Sequence, residues 1–222
     1  MTDAVAAARA RALAVPAWLW LAGIVVVSAA VRIALARRIV APWIMVDELI
    51  YSELAKSAAE HGRFLIRDVP TGGYGFVYPL LIAPAWRAFA AVPDAYRAAK
   101  TINAVAMSLT AVPAYFLARR LLSPPLSLIA AALAVLVPSM LYTGTLMTEN
   151  AFYPLFVLTA LALVVMLERP TRLLQVAVVA LCVLAYETRA QAIVLVPAVA
   201  TAPLLRALME PQRFRRTLRP FA

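Results

Sequence analysis

Asp47 and Glu48 stand side by side in MVDELIYSELAKSAAEHGRF, Met45 to Phe64. Adjacent carboxylates suit general acid–base work: one can take the proton of an attacking hydroxyl while the other orients it. Two more charged clusters follow. YTGTLMTENAFYP carries Glu149 and Asn150, and YETRAQ carries Glu187 and Arg189. Carboxylates for a hydroxyl and guanidinium groups for a phosphate fit a phosphate-bearing lipid and a second, hydroxyl-bearing substrate. Each cluster also has a plainer explanation. Acids in a first helical turn are favoured by the helix dipole, which covers Asp47 and Glu48, and also Glu149 behind a Thr148 cap. Glu187 and Arg189 can simply pair with each other.

The elements that must position these groups are apolar. The chain has 222 residues, 64% hydrophobic and 14% charged, with a net charge of +10. Its mean hydropathy is +0.85. Soluble domains have roughly a quarter of their residues charged, so the surplus apolar surface must face lipid. The expected fold class is an all-α, polytopic transmembrane helix bundle. The cations sit mostly in short segments between apolar runs, as orientation requires. No basic stripe with interleaved aromatics is present, so no nucleic-acid partner is expected. A single cysteine, Cys182, excludes a disulfide framework and a cysteine-based metal site.

Six segments read as spans: Pro16 to Ala36, Tyr96 to Ala118, Leu126 to Tyr142, Ala151 to Leu167, Leu173 to Tyr186 and Ala190 to Met209. Pro124 and Pro125 mark a tight connection before the third. Tyr78 to Val92 is about 15 residues, with Pro79, Pro84 and Arg87, and reads as an interfacial or re-entrant segment. With a cytoplasmic N-terminus, Arg9 and Arg11, Arg119 and Arg120, Arg169 and Arg172, and Arg213, Arg215, Arg216 and Arg219 all fall inside, as the positive-inside rule asks. A seventh span at Tyr78 to Val92 would put the later clusters outside.

That topology leaves a long outer loop, residues 37–95, within a single domain covering 1–222. Val46, Leu49, Ile50, Leu54 and Ala58 share one helical face, so Val46 to Glu60 is expected to form an amphipathic interfacial helix with Asp47, Glu48, Ser52, Lys56 and Glu60 on its polar side and Gly62 ending it. Outer cations need a reason. Arg63, Arg97, Lys100 and Arg189 are candidates for a phosphate, with headgroup attraction as the alternative for the set. Arg32, within the first span, can snorkel. No cofactor is expected, although Asp47, Glu48 and Glu149 are hard oxygen donors that suit a divalent cation. His61, the single histidine, reads as structural.

These residues resemble the GT-C fold glycosyltransferases that use polyprenyl-phosphate sugars, in particular the protein O-mannosyltransferase and aminoarabinose-transferase-like family. The acidic pair of VDELIYSELAKS opens the first outer loop as in that family. GGYGFVYPLLIAPAW, YRAAKTINAVAMSLTAVPAYFLARRL and MTENAFYPLFVLTALAL resemble its following segments in order and spacing, from about Trp18 to Met209. The resemblance implies sugar transfer at the outer membrane face, from a polyprenyl-phosphate donor to a hydroxyl on a lipid, glycan or protein acceptor. It implies Asp47 and Glu48 as catalytic, with Glu149, Asn150, Arg189, Tyr78, Arg97, Lys100 and Arg63 binding substrates. ETRAQA matches only loosely. The family usually has further spans and an outer domain, so a chain ending at Ala222 reads as the N-terminal part of a longer protein.

The composition, rich in Ala and Arg and poor in Lys, points to a bacterial plasma membrane. The competing reading is a transporter or polyprenyl-lipid-binding protein without transfer chemistry. That reading calls for polar residues at mid-membrane.

Overall fold

The computed structural model describes residues 15–43, 45–137, 142–210, 212 and 214–221. Arg9, Arg11, Arg213 and Ala222, used above for orientation and the chain's end, lie outside the described residues, as do residues 138–141 of the expected third span. The fold is all-α apart from one small hairpin.

Helix α1 (Ala17–Ala36) leads to α2 (Met45–His61). Gly62, at φ 66°, ends α2, its N–H donating to Ala58 O at 3.1 Å. Strands β1 (Leu65–Ile66) and β2 (Val69–Pro70) then pair antiparallel across Arg67 and Asp68. Both turn residues have positive φ, 49° and 64°, as a two-residue hairpin turn requires. Helices α3 (Val77–Ala88), α4 (Val92–Ser108), α5 (Ala111–Ala118) and α6 (Pro124–Val135) follow. Helix α7 (Glu149–Glu168), α8 (Arg172–Tyr186), a 3-10 segment (Ala190–Val194), α9 (Leu195–Met209), the short α10 (Phe214–Leu218) and a last 3-10 segment (Arg219–Phe221) follow.

Among the described residues, four helical stretches are long and apolar enough to cross a membrane: Ala17–Ala36, Val92–Ala118 (α4 with α5), Glu149–Glu168 and Ala190–Met209. Their large apolar side chains, such as Trp18, Val26 and Val27 on α1, point outward, which only a lipid solvent makes favourable. The expected third and fifth spans appear as α6 and α8, apolar but only 12 and 15 residues long. The second starts at Val92, four residues before the expected start, because Pro93 is pre-set for a first helical turn. Pro124 and Pro125 likewise lie inside α6 rather than before it, where their missing N–H groups cost nothing. Tyr78 to Val92 is mainly the 12-residue α3.

Helix α6 stops inside the bundle, and neighbours take its free carbonyls. Arg32 Nη2 donates to Val135 O at 2.7 Å, and Tyr153 Oη donates to Ala134 O at 3.1 Å. Arg32 also donates to Ser28 Oγ (3.2 Å) and Thr143 Oγ1 (2.6 Å) and is 2% exposed. It therefore turns into the protein, where the sequence had it snorkelling. Buried carbonyls without water need such donors.

Small side chains let the helices approach closely. One cluster joins Ala55, Tyr78, Ile82, Tyr96, Ala99, Leu146 and Ala151, beneath the charged loops. A second unites α1, α5 and α6 around Leu21, Ala111 and Ala131, and a third unites α7, α8 and α9 around Val178, Ala185 and Leu195. Helix α7 is about 30 Å long at 1.5 Å per residue. It starts beside the charged loops and ends at Glu168, which pairs with Arg120 at the opposite end of the bundle.

Candidate active site

Four chain-distant segments converge on one cavity of about 490 Å³. The first two turns of α2 contribute Asp47 and Tyr51. The GGYG loop contributes Gly73, Tyr74 and Gly75. The start of α7 contributes Thr148 and Glu149, and the turn after α8 contributes Glu187 and Arg189. The three charged clusters of the sequence thus share one end of the bundle.

The loops are locked by close backbone contact. Val77 N–H donates to Glu187 O at 3.3 Å. A Cβ on Gly75 would lie 1.8 Å from that same oxygen, so only glycine fits there. Gly73, at φ 92°, makes the turn before it.

Arg189 pairs with Glu149 across the cavity, and its Nε donates to Gln191 Oε1 at 3.1 Å. Its carboxylate partner is therefore Glu149 rather than Glu187. Thr148 does not cap α7. Its hydroxyl lies 3.4 Å from Glu149 Oε2 and also meets the Tyr51 phenol. Tyr51 stands edge-on to Tyr74 and Tyr78, with ring centroids 6.4 and 5.4 Å apart. Burial pushes the Tyr51 phenol up, and pushes the fully buried Tyr78 phenol further up, so both stay protonated hydrogen-bond donors.

Adjacent in sequence, Asp47 and Glu48 have different surroundings. Asp47 is half-buried and lines the cavity. Glu48 is fully buried, although the sequence placed it on the polar face of α2. Three donors draw it inward: Trp43 N–H to Oε1 at 2.7 Å, and Tyr96 Oη (2.7 Å) and Leu146 N–H (2.9 Å) to Oε2. A buried carboxylate persists only with such partners. Of the apolar face expected for an interfacial helix, Val46 and Leu49 are exposed while Leu54 is buried, as is the neighbouring Ala55.

The remaining expected site residues divide. Glu149 and Arg189 line the cavity. Tyr78 is buried behind it, its phenol paired with the Asn103 amide at 3.1 to 3.3 Å. Asn150 is buried too, its Nδ2 within 2.9 to 3.1 Å of the Tyr142, Thr145 and Met147 carbonyls, so it holds the preceding turn together. Lys100 is buried, with Nζ donating to Ala36 O (2.8 Å) and to Ile39 O. Arg97 pairs with Asp94 at 2.6 Å, and Arg63 is exposed just past α2. Sequence reasoning missed Tyr51, Tyr74 and Tyr96. Tyr51 carries a legible signal, one helical turn after Asp47 on the same face.

Among the described residues, no group of three His, Cys, Asp or Glu side chains is placed to hold a metal ion. The cavity lining combines the Asp47 carboxylate with the Arg189 guanidinium, which Glu149 already pairs. That combination can take a proton at the carboxylate and meet a developing anion at the guanidinium.

A family model described as dolichyl-phosphate-mannose-protein mannosyltransferase matches residues 78–219, well over half of the chain. No curated protein and no solved structure matches it. The matched stretch includes Tyr78, Arg97, Lys100, Glu149, Asn150 and Arg189, while Asp47, Glu48 and Arg63 precede it.

Proposed function

Because the chain belongs to the dolichyl-phosphate-mannose-protein mannosyltransferase family of membrane glycosyltransferases, we propose that it moves a sugar from a polyprenyl-phosphate donor to a hydroxyl acceptor at the outer face of the membrane. The acceptor is a lipid, a glycan or a protein. The apolar helices and the family make it an integral membrane protein. In this reading it sits in a bacterial plasma membrane with a cytoplasmic N-terminus, as one domain whose first outer loop, 37–95, carries the acidic motif.

The chemistry is a single displacement. The acceptor oxygen attacks the anomeric carbon, its proton passes to the Asp47 carboxylate, and the carbon–oxygen bond to the lipid phosphate breaks with its electrons going to phosphate. One displacement inverts the anomeric centre. Arg189 exchanges Glu149 for the departing phosphate, and a preorganised cation there lowers the barrier. Glu149, once released, lines the acceptor side. Glu48 fixes the first turn of α2, and with it Asp47. No step calls for a metal, so transfer is expected to persist in a chelator.

The observation that carries this reading is the meeting of Asp47, Glu149 and Arg189, from three separate loops, in one cavity. The transport alternative looks to polar groups at depth. Arg32, Ser28, Ser108 and Thr143 are such groups, but they bond to one another and to backbone, and none lines the cavity. The test is Asp47→Asn in the full-length protein, following label from a polyprenyl-phosphate sugar into acceptor. Undiminished transfer removes Asp47 from the role of base.

A further inference from the structure

Tyr96 touches no part of the cavity, yet it lies at the junction on which the cavity depends. It is 5% exposed near the start of α4. Its hydroxyl donates to Glu48 Oε2, the oxygen that also accepts from Leu146 N–H. Glu48 directly follows Asp47 in the chain, and Leu146 precedes Glu149 by three residues. Two of the three cavity carboxylates, Asp47 and Glu149, are thus tethered within one turn of a single buried oxygen.

These donors to Glu48 differ in kind. Trp43 and Leu146 give backbone N–H groups from irregular connections. Tyr96 alone of these reaches in from a regular helix, and its ring is itself held. The Lys100 ammonium sits 4.6 Å from the ring centroid, one turn further along α4. Lys100 in turn donates to Ala36 O, at the last residue of α1, and to Ile39 O just beyond it. A continuous path therefore runs from the scaffold helices α1 and α4 through Lys100, Tyr96 and Glu48 to Asp47. Sites hold their geometry when rigid elements support the reacting groups in this way.

We propose that Tyr96 is a positioning residue for sugar transfer: through its hydrogen bond to Glu48 it sets where the Asp47 carboxylate stands relative to the acceptor hydroxyl. This rests on the reading of Asp47 as base. Displacement of about 1 Å by a remote change costs on the order of 10²-fold in rate. Y96F keeps the ring under Lys100 and removes only the donor. It is expected to lower kcat about 10- to 100-fold in the full chain, with dolichyl-phosphate-mannose as the donor probe, and to leave the donor KM within about 3-fold. E48Q should do the same, and the double variant should be no slower than the slower single.

A second readout needs no turnover. Cys182 is the one native cysteine and is buried. The thiol introduced by D47C therefore reports alone, and its rate of modification by a water-soluble methanethiosulfonate should change several-fold when Y96F is added. The thiol introduced by V69C, on the exposed β2, should not respond. D47N run alongside separates the two claims. If D47N abolishes transfer while Y96F alters neither kcat nor the thiol rate, the positioning role is overturned and the base stands. If D47N transfers normally, the base is wrong and the catalytic role of Tyr96 falls with it. A Y96F loss that is additive with E48Q and tracks a lowered melting temperature would mean bulk stability, and would also overturn the proposal. Should Y96F fail to fold, K100M frees the ring but keeps the hydroxyl. An unchanged kcat and thiol rate there would overturn it equally.

Discussion

Two concavities open at the same end of the bundle, and charges from separate loops meet in the smaller one. The groove between the end of α1, α3 and the start of α4 encloses about 900 Å³, against about 490 Å³ for the cavity containing Asp47. Both are lined by cations. In the groove, which Arg37 also lines, Arg97 and Lys100 are committed locally: Arg97 to Asp94 in the preceding turn, and Lys100 to two carbonyls of its own scaffold. In the cavity, charges from different loops face one another, with Arg189 reaching Glu149 from 40 residues along the chain. Local pairing stabilises an element. Pairing between loops leaves groups that a substrate can compete for.

The comparison can be broken by substitution. The largest effect is expected for D47N: kcat about 10²- to 10⁴-fold lower, measured as label transferred from the polyprenyl-phosphate donor. R189Q comes next, at about 10²-fold, because the leaving phosphate loses its cation. G75A is third. The new methyl group would collide with Glu187 O, so the GGYG loop must shift away from the α8 turn, with transfer expected to fall about 10-fold and donor KM to rise. D94N should matter least. It breaks an exposed pair within the groove, worth about 0.2–1 kcal/mol, and should leave transfer within about 2-fold and barely move the melting temperature. Were D94N to rival R189Q, the contrast between the two concavities would be wrong.

Much of this arrangement was legible in the sequence. Charge between apolar runs is costly, so Asp47, Glu149 and Arg189 stood out, and the spacing of the runs put them at one end. Helix α2 was legible from its period, but its orientation was not. In water the apolar face goes inward. Beside a membrane both faces find favourable surroundings, so hydrogen-bond donors decide which turns in. The donors that bury Glu48 lie 5, 48 and 98 residues away, and no local pattern encodes them. The hairpin escaped because Arg67 and Asp68 lack the glycine that usually marks a two-residue turn. The short α6 escaped because its end depends on partners for its carbonyls rather than on its own residues.

Arg32 also has a place in time. Its partner Thr143 is made 111 residues after it. When α1 first enters the bilayer, the guanidinium has Ser28 within its own helix and water at the nearby interface, four residues or about 6 Å away. The inward bonds to Val135 and Thr143 become available only once α6 and the turn beyond it have been synthesised. The side chain must then leave water for protein. In the biosynthesis of this chain, Arg32 is a late stitch that closes the first helix onto a segment made more than a hundred residues later.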